Sequence, residues 1–241
     1  MSNNVVIIPT YNEKENVEAI IRKVMSLQPD FEILIVDDNS PDGTANIVRQ
    51  LQVEFNGRLH MLERKEKNGL GTAYIAGFKW CLDKSYKYIF EMDADFSHNP
   101  DDLPKLLSAC TDQNAGLAVG SRYITGVNVV NWPMSRVIMS YYASVYVRFI
   151  TGMTIRDATA GFVCYSRETL QSIELDKIKF KGYAFQIEMK FKAFLKGIKI
   201  VEVPIIFTDR TLGTSKMSKK IFREAFFGVI ELKLKSLFRK K

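Results

Sequence analysis

Short, mostly apolar runs alternate with amphipathic stretches along the first half of the chain. The runs lie at residues 5–8, 31–36, 60–62, 88–92 and 117–119. Runs of this length are typical of strands that are buried on both faces of a sheet. After the first run, Val17, Ile20, Ile21 and Val24 recur at the spacing of a helix that lies on a sheet and begins within residues 10–13. The order of strands and helices predicts right-handed βαβ units, and hence an α/β protein with a mostly parallel central sheet and helices on both faces.

Polar and charged residues follow the predicted strands at their carboxyl ends. They are Pro9, Tyr11 and Glu13 after the first strand, Asp37 and Asp38 after the second, Asp93 and Asp95 after the fourth, and Arg122 after the fifth. In a parallel sheet these ends share one edge, where open α/β sheets bind their ligands. Asp93 and Asp95 can face a hard divalent cation that also holds diphosphate oxygens. Taken alone, such a pair is more typical of a solvated turn that caps the next helix, so the neighbouring motifs decide.

Length and composition favour one main domain. The 241 residues contain no Pro/Gly/Ser-rich linker and no repeat, so we expect a catalytic domain over residues 1–217 and a C-terminal elaboration over residues 218–241. Cys81, Cys110 and Cys164 are far apart in the sequence and lie in apolar settings, which favours buried, reduced thiols over a disulfide or a zinc site. Because the chain has two histidines, any metal is expected to be bound by oxygen.

The net charge of +7 indicates an anionic partner, which is a nucleotide, a lipid phosphate, a membrane surface or a nucleic acid. Residues 1–4 lead directly into the first strand without the pattern of a signal peptide. The apolar stretch at residues 137–150 is too short to cross a bilayer and is interrupted by Ser140, Ser144 and Arg148. We therefore expect a soluble or peripheral protein.

Two glycines, Gly69 and Gly71, open the helix after the third strand. Their spacing is not that of a dinucleotide-binding fingerprint, and the Lys-Ser/Thr pair of a phosphate-binding P-loop does not follow them. The sequence therefore argues against a nicotinamide-dependent dehydrogenase and against a P-loop ATPase. Residues 68–71 are either a plain helix start or a substrate contact, and the sequence leaves both open.

Further short motifs extend this pattern from one end of the chain to the other. In order they are PTYNE (9–13), VDDNSPDGT (36–44), NGLG (68–71), DAD (93–95), GSRY (120–123), NWP (131–133), TAGF (159–162), EVP (202–204), and Arg210 with GTSK (213–216). In order and combination they resemble the family 2 glycosyltransferases, whose GT-A fold is a Rossmann-like α/β architecture. The resemblance is greatest to the polyprenol-phosphate sugar synthases, the group of the dolichol-phosphate mannosyltransferases.

The resemblance implies a nucleotide-sugar site built on the strand ends. The residues implied for the base and ribose are Pro9, Tyr11, Glu13, Val36 and Asp38, and those for the diphosphate are Asp93, Ala94, Asp95, Arg210 and Lys216. Mg²⁺ or Mn²⁺ is implied between the diphosphate and Asp93, Asp95 and Ser97. Without a cation, Asp93 and Asp95 would repel a diphosphate. Some relatives have a Gln at the position of Ser97, which is a shorter and weaker ligand, so the preferred metal stays open.

An acceptor site is implied at Arg122, Arg136 and Ser140, which would bind the phosphate of a polyprenyl phosphate. Guanidinium groups bind phosphate with paired hydrogen bonds. Arg136 and Ser140 lie four residues apart on a predicted helix and can face one ligand, although each alone would be ordinary on a helix surface. The implied catalytic residues are Asp95, Arg122 and Arg210. A Ser-His-Asp triad is not required, because the phosphate is its own nucleophile, with inversion at the sugar carbon.

The C-terminal residues predict a basic amphipathic helix. Its apolar face comprises Phe222, Phe226, Val229, Ile230, Leu234 and Leu237. Its basic residues are Lys219, Lys220, Arg223, Lys233, Lys235, Arg239, Lys240 and Lys241. Such a helix suits an anionic membrane surface. Packing against the chain's own catalytic domain is the alternative.

The resemblance implies transfer of a hexose, with mannose from GDP-mannose as the first choice, to a polyprenyl phosphate. UDP-glucose or a UDP-aminosugar is the alternative donor, because the motifs do not define the stereochemistry of the sugar. A nucleic-acid-binding protein is a different class of function, which leaves the acidic strand ends unexplained, so we expect no nucleic acid partner. We expect the protein at the cytoplasmic face of a membrane, with a membrane-protein partner as an open option.

Overall fold

The computed structural model describes residues 2–182, 184–209 and 219–238, with side chains from residue 226 to residue 237 in the last of these ranges. The strands are β1 (Asn4–Thr10), β2 (Glu32–Asp37), β3 (Leu59–Glu63), β4 (Tyr88–Glu91), β5 (Leu117–Ser121), β6 (Val129–Val130), β7 (Val163–Ser166), β8 (Ile200–Pro204) and β9 (Phe207–Thr208). The helices are α1 (Val17–Met25), α2 (Thr44–Glu54), α3 (Leu70–Leu82), α4 (Leu103–Thr111), α5 (Met134–Thr151), α6 (Arg167–Ser172), α7 (Ala184–Leu195) and α8 (Lys219–Phe238).

The central sheet has the strand order β3-β2-β1-β4-β7-β5-β8. Adjacent strands of this sheet are parallel except for β7, which runs antiparallel to both β4 and β5 between which it lies. A second, two-stranded sheet pairs β6 with β9. The predicted α/β fold with a mostly parallel sheet is therefore confirmed, whereas β7 was not predicted. Because β4 and β5 both oppose β7, they point the same way and end at the same edge.

Alternating residues of the buried strands supply two core layers. Val6 and Ile8 face a cluster with α1, α2 and α4, whereas Val5 and Ile7 face a cluster with α3, α6 and α7. Both sets are fully buried, and each such side chain contributes roughly 1.5–3 kcal/mol through its removal from water. Helices cover both faces of the sheet, as predicted.

The loop after β1 differs from the prediction, because α1 begins at Val17 and not within residues 10–13. The backbone N–H groups of Asn12, Glu13 and Lys14 instead donate to side chains of the loop at residues 40–44, at 3.0, 3.1 and 3.0 Å. These amides are satisfied outside a helix, and two loops that follow neighbouring strands are tied together.

The C-terminal helix α8 packs in part against the rest of the chain. Val229 is 1% exposed and joins a third apolar cluster with residues of α5 and α7. Lys233 donates to the carbonyl of Thr151 at 3.1 Å, while Phe226 and Leu234 are exposed. The single apolar face predicted for this helix is therefore divided, with Val229 inside and other members outside. The predicted domain boundary at residues 217 and 218 lies outside the described residues.

Among the described helices, none combines the length and the apolar content that crossing a bilayer requires. Cys81, Cys110 and Cys164 are free and buried, so the predicted burial of these thiols is confirmed. Cys110 and Cys164, far apart in sequence, lie with their Sγ atoms 3.5 Å apart.

We expect Gly71→Ala to destabilise the fold. The added Cβ would lie 2.7–2.9 Å from three carbon atoms of Phe185, which is fully buried and stacked on Tyr74. Overpacking of this kind costs about 1–3 kcal/mol, partly offset by the gain of up to about 1 kcal/mol that Ala brings to a helix. Urea unfolding measures the change. Gly161→Ala, whose Cβ meets nothing closer than 3.8 Å, is the control and should remain near wild type; equal losses in both variants would contradict the packing argument.

Candidate active site

A cavity of about 930 Å³ opens at the edge of the sheet where β1, β2, β4 and β5 end. The loops after these strands form one part of its wall, and α5, residues 159–161 and α7 form another. A volume of this size accommodates a nucleotide-sized ligand.

Most of the sequence-predicted site residues line this cavity. They are Pro9, Tyr11, Glu13, Asp38, Asp93, Ala94, Asp95, Ser97, Arg122, Arg136 and Ser140. Val36 does not line it, because its side chain is fully buried in the core on β2. Arg210 and Lys216 lie outside the described residues. The structure therefore gathers most of the predicted donor residues and all three predicted acceptor residues into one cavity, and their individual roles stay predictions.

Two adjacent carboxylates at the end of β2, those of Asp37 and Asp38, have different surroundings. Asp37 is structural, since it accepts hydrogen bonds from Thr10 Oγ1 at 2.8 Å and from the hydroxyl and backbone amide of Ser40. Asp38 lines the cavity, and its Oδ1 lies 3.3 Å from Arg64 Nε. Burial raises the pKa of Asp38, against the opposing charge of Arg64. Within the described ranges this buried Oδ1 has no hydrogen-bond partner, so it fits a ribose hydroxyl or a base N–H.

The loop after β4 carries the predicted metal ligands. Asp95 is buried and its Oδ1 accepts the backbone N–H of Ser97 at 3.1 Å, across Phe96 in the left-handed conformation (φ 58°). Ser97 Oγ is buried and has no hydrogen-bond partner among the residues that the structure describes. These residues contain no group of three Asp, Glu, His or Cys side chains that could hold a metal. Two carboxylates and a hydroxyl, completed by ligand or water oxygens, fit Mg²⁺ or Mn²⁺.

The buried side chain of His98 supports the same loop. Its Nδ1 accepts the backbone N–H of Asp93 at 3.3 Å, which places the ring proton on Nε2. The imidazole is stacked on Phe162 at 5.0 Å and meets Phe207 edge-on. Burial lowers the pKa of His98 to about 4, although Asp95 opposes this shift. His98 is therefore a neutral, rigid support near neutral pH.

A buried polar cluster lies beneath the cavity. Gln186 Nε2 donates to Glu91 at 2.5 Å, and Lys190 Nζ donates to Gln186 Oε1 at 3.1 Å and to the carbonyl of Ala160 at 2.6 Å. Burial raises the pKa of Glu91 to about 8 and lowers that of Lys190 to about 8, while their mutual attraction opposes both shifts. The cluster connects β4, α7 and the loop at residues 159–161, so it holds the cavity floor together.

Arg122 is fixed by a buried carboxylate. Its Nε and Nη2 donate to Asp157 at 2.7 Å each, and Nη2 also donates to Thr159 Oγ1 at 2.9 Å. The backbone N–H of Arg122 donates to the same carboxylate at 3.0 Å. Burial alone would raise the pKa of Asp157, but the charge and hydrogen bonds of Arg122 hold it below its usual value.

The second predicted acceptor arginine lies over an aromatic ring. The Arg136 guanidinium carbon is 4.1 Å from the centre of the Trp132 ring, and Arg122 is 5.5 Å from the same centre. Ser140 Oγ accepts the hydroxyl proton of Tyr123 at 2.8 Å. Arg136 and Ser140 lie on α5 and line the cavity together, so they share one face of the helix as predicted.

Sequence reasoning did not assign roles to several residues that shape this site. They are Lys67, which lies over the Tyr11 ring, His98, Asp157, Thr159, Gln186 and Asp209. Partial signals exist, since Thr159 belongs to the TAGF motif, Asp157 precedes it by two residues, and Asp209 directly precedes Arg210. No local pattern indicates which of these side chains contact Arg122 or Arg136.

The family model of glycosyl transferase family 2 matches residues 5–173. The chain belongs to glycosyl transferase family 2. Polyprenol monophosphomannose synthase from Mycolicibacterium smegmatis is 49% identical over 226 residues, which cover 94% of this chain and 85% of that protein. Undecaprenyl-phosphate mannosyltransferase from Micrococcus luteus is 46% identical over 223 residues, which cover 92% of this chain and 90% of that protein. These matches confirm that the protein is a glycosyltransferase.

Solved structures of glucosyl-3-phosphoglycerate synthase from Mycobacterium tuberculosis have the same fold as this family 2 protein. The complex with Mn²⁺, UDP and glucosyl-3-phosphoglycerate has a TM-score of 0.67 at 17% identity, covering 96% of this chain and 78% of that chain. The complex with Mn²⁺ and UDP-glucose has a TM-score of 0.65 at 18% identity and the same coverage. The GT-A fold that the motifs predicted is thereby confirmed.

We expect Asp157→Asn to lower the free energy of unfolding by about 3–5 kcal/mol near pH 7, because the buried Arg122 loses its counter-charge. The folded-state pKa of Asp157 lies below its unfolded value. The stabilisation is therefore present above about pH 4 and is lost as the pH falls through the folded-state pKa. Urea unfolding of both proteins over this pH range is the measurement.

The exposed Asp176→Asn variant is the control and should change stability by less than about 0.5 kcal/mol. A difference between wild type and Asp157→Asn that does not shrink below about pH 4 would show that the carboxylate acts through shape and not through charge.

Proposed function

We propose that this glycosyltransferase transfers mannose from GDP-mannose to the phosphate of a polyprenyl phosphate, with inversion at the sugar carbon. The observation that carries the proposal is one cavity that contains the Asp93 and Asp95 carboxylates and the Arg122 and Arg136 guanidinium groups. A carboxylate pair suits a metal-bound diphosphate, and arginines suit a phosphate acceptor. The two relatives named as a polyprenol monophosphomannose synthase and an undecaprenyl-phosphate mannosyltransferase support the sugar and the acceptor.

The chemistry requires little from the protein beyond position and charge. A phosphate monoester has a second pKa of ~6, so the acceptor is largely a dianion near neutral pH and needs no general base. Arg122 and Arg136 would orient it, so that one phosphate oxygen attacks the anomeric carbon as the bond from that carbon to the diphosphate breaks. A divalent cation held by Asp93, Asp95 and Ser97 would neutralise charge on the departing diphosphate. Glu13 and Asp38 would accept hydrogen bonds from the base or ribose.

The proposed acceptor site adjoins an exposed apolar surface, which we call the α5–α8 surface and define as Met134, Ile138, Met139, Tyr142, Phe149, Phe226, Phe227, Leu234 and Leu237. Met139, Tyr142 and Phe226 also line the cavity, so the surface is continuous with the site. Tyr146 joins the two helices, because its ring stacks on Phe226 at 4.6 Å. This surface is the natural place for a polyprenyl tail and for contact with a bilayer. We therefore propose that the protein contacts a membrane peripherally through this surface, and we propose the cytoplasmic face as its location.

A donor panel tests the reaction. With a short polyprenyl phosphate and Mg²⁺ or Mn²⁺, we expect GDP-mannose to exceed UDP-glucose and UDP-GlcNAc by at least about tenfold in kcat/KM, because the sites for base and sugar discriminate through paired hydrogen bonds. Asp95→Asn should remove turnover and metal-dependent donor binding, whereas Asp112→Asn, which changes an exposed carboxylate just after the end of α4, should not. Preferential use of a UDP sugar contradicts the donor assignment, and near-wild-type turnover of Asp95→Asn contradicts the metal site.

Vesicle binding tests the membrane surface. We expect Phe149→Ser with Phe227→Ser to reduce co-sedimentation with anionic vesicles by roughly tenfold or more, because each buried phenyl ring contributes about 1.5–3 kcal/mol. Phe149 is 85% exposed and neither residue lines the cavity, so transfer to a short, water-soluble acceptor should persist. High salt should weaken wild-type binding without abolishing it, because only the electrostatic part is screened.

The matched control is Val53→Ser, which changes an apolar residue that is 82% exposed on α2. It should bind vesicles like wild type. If the double variant also sediments like wild type, the membrane contact lies on another surface.

A further inference from the structure

Arg136 makes its ion pair through one nitrogen. Both carboxylate oxygens of Asp209 accept from Nη1, at 3.0 and 2.9 Å. In the part of the chain that the structure describes, no hydrogen bond involves Nε or Nη2 of Arg136. Arg122 differs, since Asp157 takes both its Nε and its Nη2. The edge that can bind phosphate with two parallel hydrogen bonds thus remains on Arg136.

Asp209 is itself held by the small sheet. Its backbone N–H donates to the carbonyl of Val130 at 3.0 Å, next to the β6–β9 pairing. The neighbouring Thr208 N–H donates to the carbonyl of Ser97 at 3.3 Å. Backbone hydrogen bonds therefore connect residues 208 and 209 both to β6, which precedes the acceptor helix α5, and to the predicted metal loop. These bonds fix the position from which the Asp209 carboxylate projects.

Trp132 is the second side chain, after Asp209, that holds the guanidinium group of Arg136 in position. Arg136 lies 4.1 Å from its ring centre, and Phe207 packs on the same ring edge-on at 5.2 Å. The indole Nε1 is buried in the cavity wall and has no hydrogen-bond partner within residues 2–182, 184–209 and 219–238. Contact with the indole ring limits the movement of the guanidinium away from the ring, and the ion pair with Asp209 limits its rotation.

We propose that Asp209 is a positioning residue for Arg136, which holds the guanidinium over Trp132 so that Nε and Nη2 receive the phosphate of the acceptor. This inference rests on the proposed function and adds to it a residue that need not touch substrate. An arginine on a helix face has many rotamers, and ordering it before the acceptor binds removes an entropic cost from binding. The negative charge of Asp209 acts in the opposite sense, because it repels the phosphate.

Positioning of Arg136 by Asp209 and repulsion of the phosphate by Asp209 predict opposite changes in KM for the acceptor when Asp209 is replaced. If positioning dominates, Asp209→Ala should raise KM for a short polyprenyl phosphate by roughly tenfold, the effect of losing one charge-assisted hydrogen bond. Asp209→Asn keeps an oxygen that can accept from Nη1, so its KM should rise by only about two- to threefold. In both variants kcat and the calorimetric Kd for GDP-mannose should stay near wild type. If Asp209 competes with the phosphate, KM should fall in both variants, which overturns the proposal.

A double-mutant cycle shows whether Asp209 acts through Arg136. Arg136→Ala should raise KM for the acceptor, and adding Asp209→Ala to it should change KM no further. An equal effect of Asp209→Ala with and without Arg136 overturns the proposal, as does a parallel loss of thermal stability and donor affinity. Glu54→Ala, which removes the exposed carboxylate partner of Arg22 at 2.6 Å, is the control and should leave KM unchanged.

The cycle also separates this inference from the proposed function. If Arg136→Ala impairs the acceptor and Asp209→Ala does not, the positioning role alone is wrong. If Arg136→Ala leaves KM for the acceptor unchanged, the acceptor site is misplaced and both proposals fall.

Discussion

Strands β1, β2, β4 and β5 lie between helices that cover both faces of the sheet, and this double burial governs the rest of the structure. A strand buried on both faces has room for polar side chains only at its ends, unless each buried group finds a partner. The carboxyl ends of these strands meet at one edge, so the polar residues of distant segments converge there. Glu91, the last residue of β4, is fully buried even so, and its carboxylate accepts a hydrogen bond from Gln186 and is stabilised by the charge of Lys190.

Charge is distributed across the cavity in a way that suits two phosphorylated ligands. The loop after β4 presents carboxylates, which need a cation before they can meet a diphosphate. The other wall presents Arg122 and Arg136, each held by a carboxylate of its own. Anchoring both guanidinium groups keeps positive charge in place before any ligand arrives, which is the property that electrostatic catalysis requires.

The apolar α5–α8 surface adjoins the cavity and suits the lipid tail of the proposed acceptor. One side of α8 completes the protein interior through Val229, whereas Phe226 and Leu234 remain exposed. The predicted alternatives for this helix, a membrane surface or packing on its own domain, are therefore compatible. A soluble nucleotide and a long apolar tail could approach one cavity from different surroundings, as the proposed transfer requires.

Local patterns of residues were sufficient to predict the strands and helices of the first half of the chain and the polar residues that cluster at the strand ends. Periodicity of apolar residues is a local property, so strands β1 to β5, helices α1 to α5 and α8, and the shared face of Arg136 and Ser140 were predicted, whereas β6 to β9, α6 and α7 were not. The order of short motifs was enough for the family, and most of the site residues that it implied line the cavity.

Three features depend on contacts between distant segments: the position and direction of β7, the pairing of β6 with β9, and the carboxylates that hold the arginines. Asp157 is 35 residues from Arg122, and Asp209 is 73 residues from Arg136. The early start predicted for α1 was wrong because side chains of another loop bind its amides. Contacts between segments so far apart depend on how the sheet and helices assemble, and no local spacing of residues encodes them.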